Sequence, residues 1–354
     1  MESDNVFELL SGEDGIIAQT SYTLAEIWEK RNFLSGSADY QKATDRILPV
    51  YRKDRYVGEV IENVGVDSPA VEVRPPVMKI GNLEMPRGFF TQVTSGHDYE
   101  DLLKRYRAAV GPQTNGVPQS AIQVLQEWAL SGYDTVANMQ VAACEKGLCQ
   151  ALSNENGWNI PAKRNQEPFK YDPQIDNSTT GLIADFDAND PSMMLLKDLV
   201  LKMQTKGYSP DTILVGDNVA MAIMNSQYYK DNNNRVVPIT QSFNYTPALS
   251  SNMVRAMGAL ELTGITVAGC KIIWINSQYN GVPSFDPDCA IALKFTDFAT
   301  IYSAPIFSNM TLLDDIINLT EEPRRSSKEI RYMYEFYYLP VVNYPGEIFR
   351  IYYR

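Results

Sequence analysis

The sequence predicts a mixed α+β fold that spends much of its length on extended, peripheral structure, and three observations carry this. About forty residues from Leu48 to Phe90 have strand chemistry and turns but no apolar run able to form a core of their own. One of the longest uninterrupted helical patterns in the chain follows, from Pro118 to Ser153. Beyond it, short strands and helices alternate, and the chain closes on strongly alternating β segments. A subunit that covers its neighbours fits this order better than a compact catalyst.

The first 45 residues are polar and read as an extended arm, with one amphipathic helix over Leu24–Asn32 capped by Thr23 and ended by Ser35-Gly36-Ser37. In Ala70–Ile80, Val71 and Val73 alternate with Glu72 and Arg74 until Pro75-Pro76 breaks the strand. Tyr51–Ile61 is similarly mixed, so the two predict a long hairpin flap. Such a hairpin is marginal alone and must lean on something else. Asp98 starts a short charged helix to Val110, with His97 in the turn before it.

The long helix carries an apolar stripe of Ile122, Leu125, Ala129, Val136, Met139 and Ala143. It is too loose for a coiled coil, because Gly132 interrupts it and charged flanking pairs are missing. At 1.5 Å per residue the helix would run about 54 Å. A polar loop is expected over Asn154–Pro173. Asp190-Pro191 opens another helix as N-cap and first helical residue, with Leu195, Leu196, Leu199, Val200 and Met203 inward and Gly207 closing it. Thr212–Val215 reads as a buried strand, followed by a helix capped by Asp217, and Asn232–Asn234 as a surface loop. Ile265–Ile275 is strand-rich, Asn280-Gly281 signals a hairpin, and Cys289–Phe295 returns as a strand. At the end, Tyr332, Tyr334, Phe336 and Tyr338 alternate with Arg331, Met333 and Glu335, and Pro345-Gly346 turns into a last strand, Ile348–Tyr353.

Composition narrows the function classes. At 354 residues the chain can hold two or three domains, and its net charge of -12 disfavours binding nucleic acid through an electrostatic footprint. The first residues, MESDNVFELL, lack the basic and apolar regions of a secretory signal, and no apolar run is long enough to span a bilayer. Synthesis in the cytoplasm and no membrane association are therefore expected.

No metal, cofactor or catalytic residue stands out. Cys144, Cys149, Cys270 and Cys289 form no CxxC pair, and His97 is the only histidine, so buried free thiols are expected. Cys144 and Cys149 lie five apart, which puts them on different faces of the helix. Asp185, Asp187, Asn189 and Asp190 imitate the opening of a calcium loop. However, Asp190 stands where Gly is needed and Leu196 where a bidentate Glu is needed. No phosphate-binding glycine motif occurs. Carboxylates are abundant enough to leave a carboxylate-dependent hydrolase as a distant alternative.

Basic residues concentrate on the flap of this acidic chain: Arg52, Lys53, Arg55, Arg74, Lys79 and Arg87. A solvated hairpin face explains them. So does a cationic flap lying on an acidic neighbouring subunit, where complementary charge sets register.

Four blocks resemble a known family: ACEKGLCQALSNENGWNI (143–160), GYSPDTILVGDNVAMAIMNS (207–226), KIIWINSQYNGVPSFDPDCAIAL (271–293) and SSKEIRYMYEFYYLPVVNYPGEIF (326–349). Their order and spacing are similar to those of the major capsid proteins of tailed phages, most closely the phage lambda major head protein group, which share the Hong Kong 97-type fold. The resemblance implies an N-terminal arm at 1–47, an extended loop at 48–92 and a peripheral domain at 93–194 with a spine helix at about 117–153. An axial domain at 195–325 and C-terminal strands at 326–354 returning to the peripheral domain complete it.

The implied function is an icosahedral shell of hexamers and pentamers enclosing double-stranded DNA without specific recognition. Portal, scaffold and decoration proteins are the implied partners, and no cofactor is implied. Some relatives crosslink through a Lys in the extended loop. Lys53 and Lys79 are available, but no matching motif supports that role, so non-covalent stabilisation is expected. An encapsulin-type compartment is the alternative that keeps the fold.

Overall fold

The computed structural model describes residues 33–53, 77–94, 96–110, 119–161, 168–181, 191–226, 259–279, 281–304, 306–308, 311–313, 318–324 and 329–353. In chain order, helix α1 (Phe33–Gly36) precedes strands β1 (Asp39–Lys42), β2 (Ile47–Lys53), β3 (Val77–Glu84) and β4 (Arg87–Thr94). Helices α2 (Gly96–Val110) and α3 (Gln119–Ser153) follow, then β5 (Trp158–Ile160), β6 (Phe169–Tyr171) and β7 (Asp176–Gly181). Next come α4 (Pro191–Thr205), β8 (Thr212–Val215), α5 (Asp217–Asn225), β9 (Ala259–Val267) and β10 (Cys270–Ile275). The chain continues through β11 (Gln278–Tyr279), β12 (Val282–Pro283), β13 (Cys289–Leu293), β14 (Ala299–Ser303), β15 (Ile306–Ser308) and β16 (Thr311–Leu313). It ends with β17 (Asn318–Arg324), β18 (Glu329–Tyr337), β19 (Leu339–Val342) and β20 (Phe349–Tyr353).

A six-stranded sheet, ordered β7-β20-β13-β8-β10-β9, separates two hydrophobic cores. Strand side chains alternate between the faces of a sheet, and here both faces are covered. Ile213 and Val215 of β8, Ala290 and Ala292 of β13, and Phe349, Ile351 and Tyr353 of β20 join α4 and α5 in one core. Leu214, Ile291, Leu293 and Tyr352 point the other way, into the core that includes α3. Burial on both sides explains why TILV and CAIAL read as continuous apolar runs rather than as alternating ones. Within this sheet β8 runs parallel to β10 and antiparallel to β13, and β20 lies between β13 and β7.

Helix α3 is 35 residues long, about 52 Å at the standard rise. Its facing follows the predicted stripe at Ile122, Leu125 and Ala143, which lie in or against the core, and departs from it at Met139; the side chains of Ala129 and Val136 lie outside the described residues. Leu125 is fully buried, but Met139 is 43% exposed, and Gln140 and Glu145 occupy buried positions instead. The last turns are enclosed on several sides, with Cys144, Leu148, Cys149, Ala151 and Leu152 all at 0% exposure. Cys144 and Cys149 are therefore both interior, although their spacing separates them around the helix. Burial on opposite sides of one helix is possible because β19 and the β5–β6 hairpin pack on the same stretch of α3 as the sheet does.

Several local expectations are corrected. The stretch expected as a polar loop holds the β5–β6 hairpin, whose Trp158 and Tyr171 are buried. Ile265–Ile275 is strand-rich as expected, and a turn divides it between β9 and β10. Ala268 (φ 50°) and Gly269 (φ 87°) form a two-residue turn that pairs Val267 with Cys270. Asp217 does not cap α5: the N-cap is Gly216, with no side-chain cap bond, and Asp217 Oδ1 accepts from Trp274 Nε1 at 2.7 Å. His97 lies within the first turn of α2. Pro345–Glu347 is a turn of 3-10 helix.

Other expectations agree with the structure. Tyr279 pairs with Val282 across Gly281, and α4 buries Leu196, Leu199, Val200 and Met203. The Leu24–Asn32 helix, the calcium-like loop, the Asp190 cap and Asn232–Asn234 lie outside the described residues.

Candidate assembly interface

The flap begins as the antiparallel pair β2–β3, a two-stranded sheet. Alternation along β2 divides its residues cleanly. Leu48 and Val50 face inward with Leu83, and Val50 is 2% exposed. Ile47 (53% exposed), Pro49 and Tyr51 form the outer row, an apolar stripe facing solvent in this subunit. Beside it on β3 are the exposed Asn82 and Glu84, opposite Pro49 and Ile47.

The register shifts between Val50 and Tyr51, a bulge-type irregularity, and the next three rungs are Tyr51–Lys79, Arg52–Met78 and Lys53–Val77. Three of the six predicted basic residues, Arg52, Lys53 and Lys79, thus occupy adjacent rungs at one end of the pair. Arg87 is elsewhere, exposed at the start of β4 and opposite Tyr337 of β18. Arg55 and Arg74 lie outside the described residues.

The root of the pair is firmly held. Met85 N–H donates to the Arg46 carbonyl at 2.8 Å, and Tyr338 N–H donates to the Pro86 carbonyl at 3.3 Å. The Arg46 guanidinium lies 4.3 Å from the centroid of the Tyr337 ring, within cation–π range. From there β4 pairs with β18 from Arg87–Tyr337 to Thr94–Ile330, and β17 adds a third strand. Gly88 sits against the Phe336 ring: a Cβ there would lie 2.3 Å from the ring's Cζ. The alternation of aromatics near the C-terminus is thus the platform on which the flap is mounted.

Two buried charges that the sequence reading did not single out tie distant parts of the chain to α3. Glu145 is fully buried, and its carboxylate accepts the N–H groups of Leu34 at 3.1 Å and Ser35 at 2.7 Å. Burial pushes its carboxyl up to about 7, opposed by those hydrogen bonds. Around this anchor, Phe33 stacks on Phe295 at 4.9 Å, β1 pairs in parallel with β14, and the Tyr40 hydroxyl bonds Ser303 Oγ. Residues 33–42, read as part of a polar arm, are therefore packed against the body of the molecule.

Arg350 is 2% exposed, and its guanidinium donates to the carbonyls of Leu152 (3.2 Å), Asn154 (2.6 Å) and Ile175 (3.3 Å). The last carbonyls of a helix lack internal partners and carry partial negative charge, so a cation from the final strand caps α3. For Arg350 the signal was a lone charge inside an apolar run, FRIYY, whereas Glu145 stands beside Lys146 in CEKGLC and carries no such signal.

The thiols of Cys144, Cys149 and Cys270 are all pushed up by burial, which suppresses the thiolate needed for nucleophilic attack. Among the described residues, no group of three or more His, Cys, Asp or Glu side chains could hold a metal ion. No helix among them is long and apolar enough to cross a membrane.

The sequence matches no family model and no curated protein. The structure does find relatives. A crystal structure of a protein assigned as a prophage capsid protein of E. coli CFT073 superposes with a TM-score of 0.53 at 10% identity, covering 99% of each chain. The mature capsid of bacteriophage PhiM1 is similar at a TM-score of 0.43 and 12% identity, over 91% of this chain and 86% of that one. The capsid of the native GTA particle gives 0.46 at 11% identity, over 94% and 92%. The end-to-end superposition on the prophage protein shows that this chain has a phage capsid fold.

Proposed function

We propose that this chain is the repeating subunit of an icosahedral phage head, assembling with copies of itself as hexamers and pentamers around packaged double-stranded DNA. The observation that carries the reading is the superposition on a prophage capsid protein over 99% of both chains, which leaves no large part of either unmatched. The role is structural rather than catalytic. We divide the chain into arm (1–47), extended loop (48–92), peripheral domain (93–194), axial domain (195–325) and closing strands (326–354), all belonging to the Hong Kong 97 type. The protein resides in the virion after assembly in the host cytoplasm, with portal, scaffold and decoration proteins as further partners. At a net charge of -12 it contains its DNA without gripping it.

Contacts between copies run through the flap. Arg52, Lys53, Arg55, Arg74, Lys79 and Arg87 meet acidic surface on the adjacent subunit, and the apolar row of Ile47, Pro49 and Tyr51 loses its water there. Negative-stain microscopy and sedimentation of the purified protein test the reading. Closed shells, rings or tubes are expected. A species that stays monomeric and compact under every assembly condition would overturn it.

A further inference from the structure

Residues 33–42 pack on the long helix through Phe33 and Leu34, and one carboxylate of that helix bonds their backbone. The two oxygens of Glu145 take the N–H groups of Leu34 and Ser35, which lie 111 and 110 positions earlier in the chain. Among the described residues no cation neutralises the charge, and the buried Ser35 hydroxyl lies beside it. α1 (FLSG) brings no titratable group to the site. On the same helix are Cys144 and Cys149, with Tyr40 of β1 and Tyr338 beyond Cys144. Burial raises all four, so each stays neutral across the range in which a carboxyl titrates.

We propose that Glu145 is a proton-controlled latch that sets how tightly residues 33–42 seat on α3. Seated, the carboxyl is shut away from water, and the two N–H groups and the Ser35 hydroxyl offset a negative charge only in part, so its neutral form is favoured. Lifted, it is hydrated and ionises as an ordinary glutamate. The direction of the effect follows from that difference. The seated value is about 7 against 4.5 for the free side chain. Seating therefore contributes fully below the lower value, weakens as pH rises between them, and levels off above the upper one. The seating equilibrium falls by on the order of a hundredfold across that window. What the latch controls is local but consequential: Phe33, the β1–β14 pairing and the Tyr40–Ser303 bond are all carried by the segment it holds.

The inference concerns the single chain and is independent of whether the protein forms shells. It is tested on the free full-length protein by hydrogen exchange of the peptide spanning residues 33–42, between pH 5 and pH 8.5, corrected for intrinsic exchange. Protection should fall by up to about a hundredfold with rising pH in the wild type and stay level in Glu145→Gln. A level wild-type profile, or the same slope in Glu145→Gln, would overturn the latch. Should the variant not fold, carbon-13 NMR of the wild-type Glu145 carboxyl decides: a midpoint near neutrality supports the latch, and an ordinary carboxylate midpoint removes it.

Discussion

Arg350 illustrates how a single side chain can hold the architecture together at the residue scale. It bonds three carbonyls from two segments, and of these the Asn154 oxygen also accepts from the Gly157 N–H at 3.1 Å. Arg350→Leu would leave the buried Leu152 carbonyl without this donor, while Asn154 keeps its bond from Gly157, so a loss of about 1–3 kcal/mol is expected, measured by denaturant titration. The substitution adds apolar bulk, so a neutral result would mean the capping bonds contribute nothing net. Gly88 makes a converse point. Any Cβ there meets the Phe336 ring, which is itself fully buried and unable to swing away freely. Gly88→Ala is expected to destabilise by about 1–3 kcal/mol through overpacking, read as a drop in thermal midpoint.

At the scale of the element, α3 separates propensity from facing. Its length and helical state follow from a run without proline and with strong helix formers, and the observed Gln119–Ser153 begins one residue inside the predicted start. Its buried side follows from the same data only in part. A pair of substitutions exposes the difference. Met139→Asp falls on an exposed position and should change stability by no more than about 0.5 kcal/mol. Leu148→Asp puts an unpaired charge into the closed end of the helix, costs several kcal/mol and should yield insoluble protein. Equal behaviour of the two, by soluble yield and circular dichroism, would contradict the observed packing.

At the scale of the whole molecule, the flap's charges matter through repetition. An exposed ion pair contributes only about 0.2–1 kcal/mol, but a shell makes the same contact at every interface. Replacing Arg52, Lys53 and Arg55 by Glu should leave the circular dichroism and thermal midpoint of the subunit nearly unchanged. Particle yield should fall. High salt should weaken wild-type particles in the same direction by screening. Unchanged yield and salt tolerance would mean that the apolar row on β2 holds the flap and the basic cluster is a solvated face.

Much of this was written in local chemistry. Short-range rules act within a few residues, so the long helix, the strands at Thr212–Val215 and Cys289–Leu293, the turn before Val282 and the closing β segments could all be read from period and punctuation. The Ala268-Gly269 turn was not legible, because alanine is a poor marker of a positive-φ position that the pairing of β9 with β10 imposes. Facing was only partly legible, for a different reason. Which residues of α3 are interior depends on strands more than a hundred positions away, and β19 and β20 come from the far end of the chain to enclose it. The same holds for Glu145 and Arg350. Arg350 looks like an isolated charge in an apolar run and Glu145 like half of an ordinary Glu-Lys pair, and only the arrival of the end of α3, or of Leu34 and Ser35, turns each into an anchor. Periodicity records which residues avoid water. It does not record which distant backbone groups will be left needing a partner.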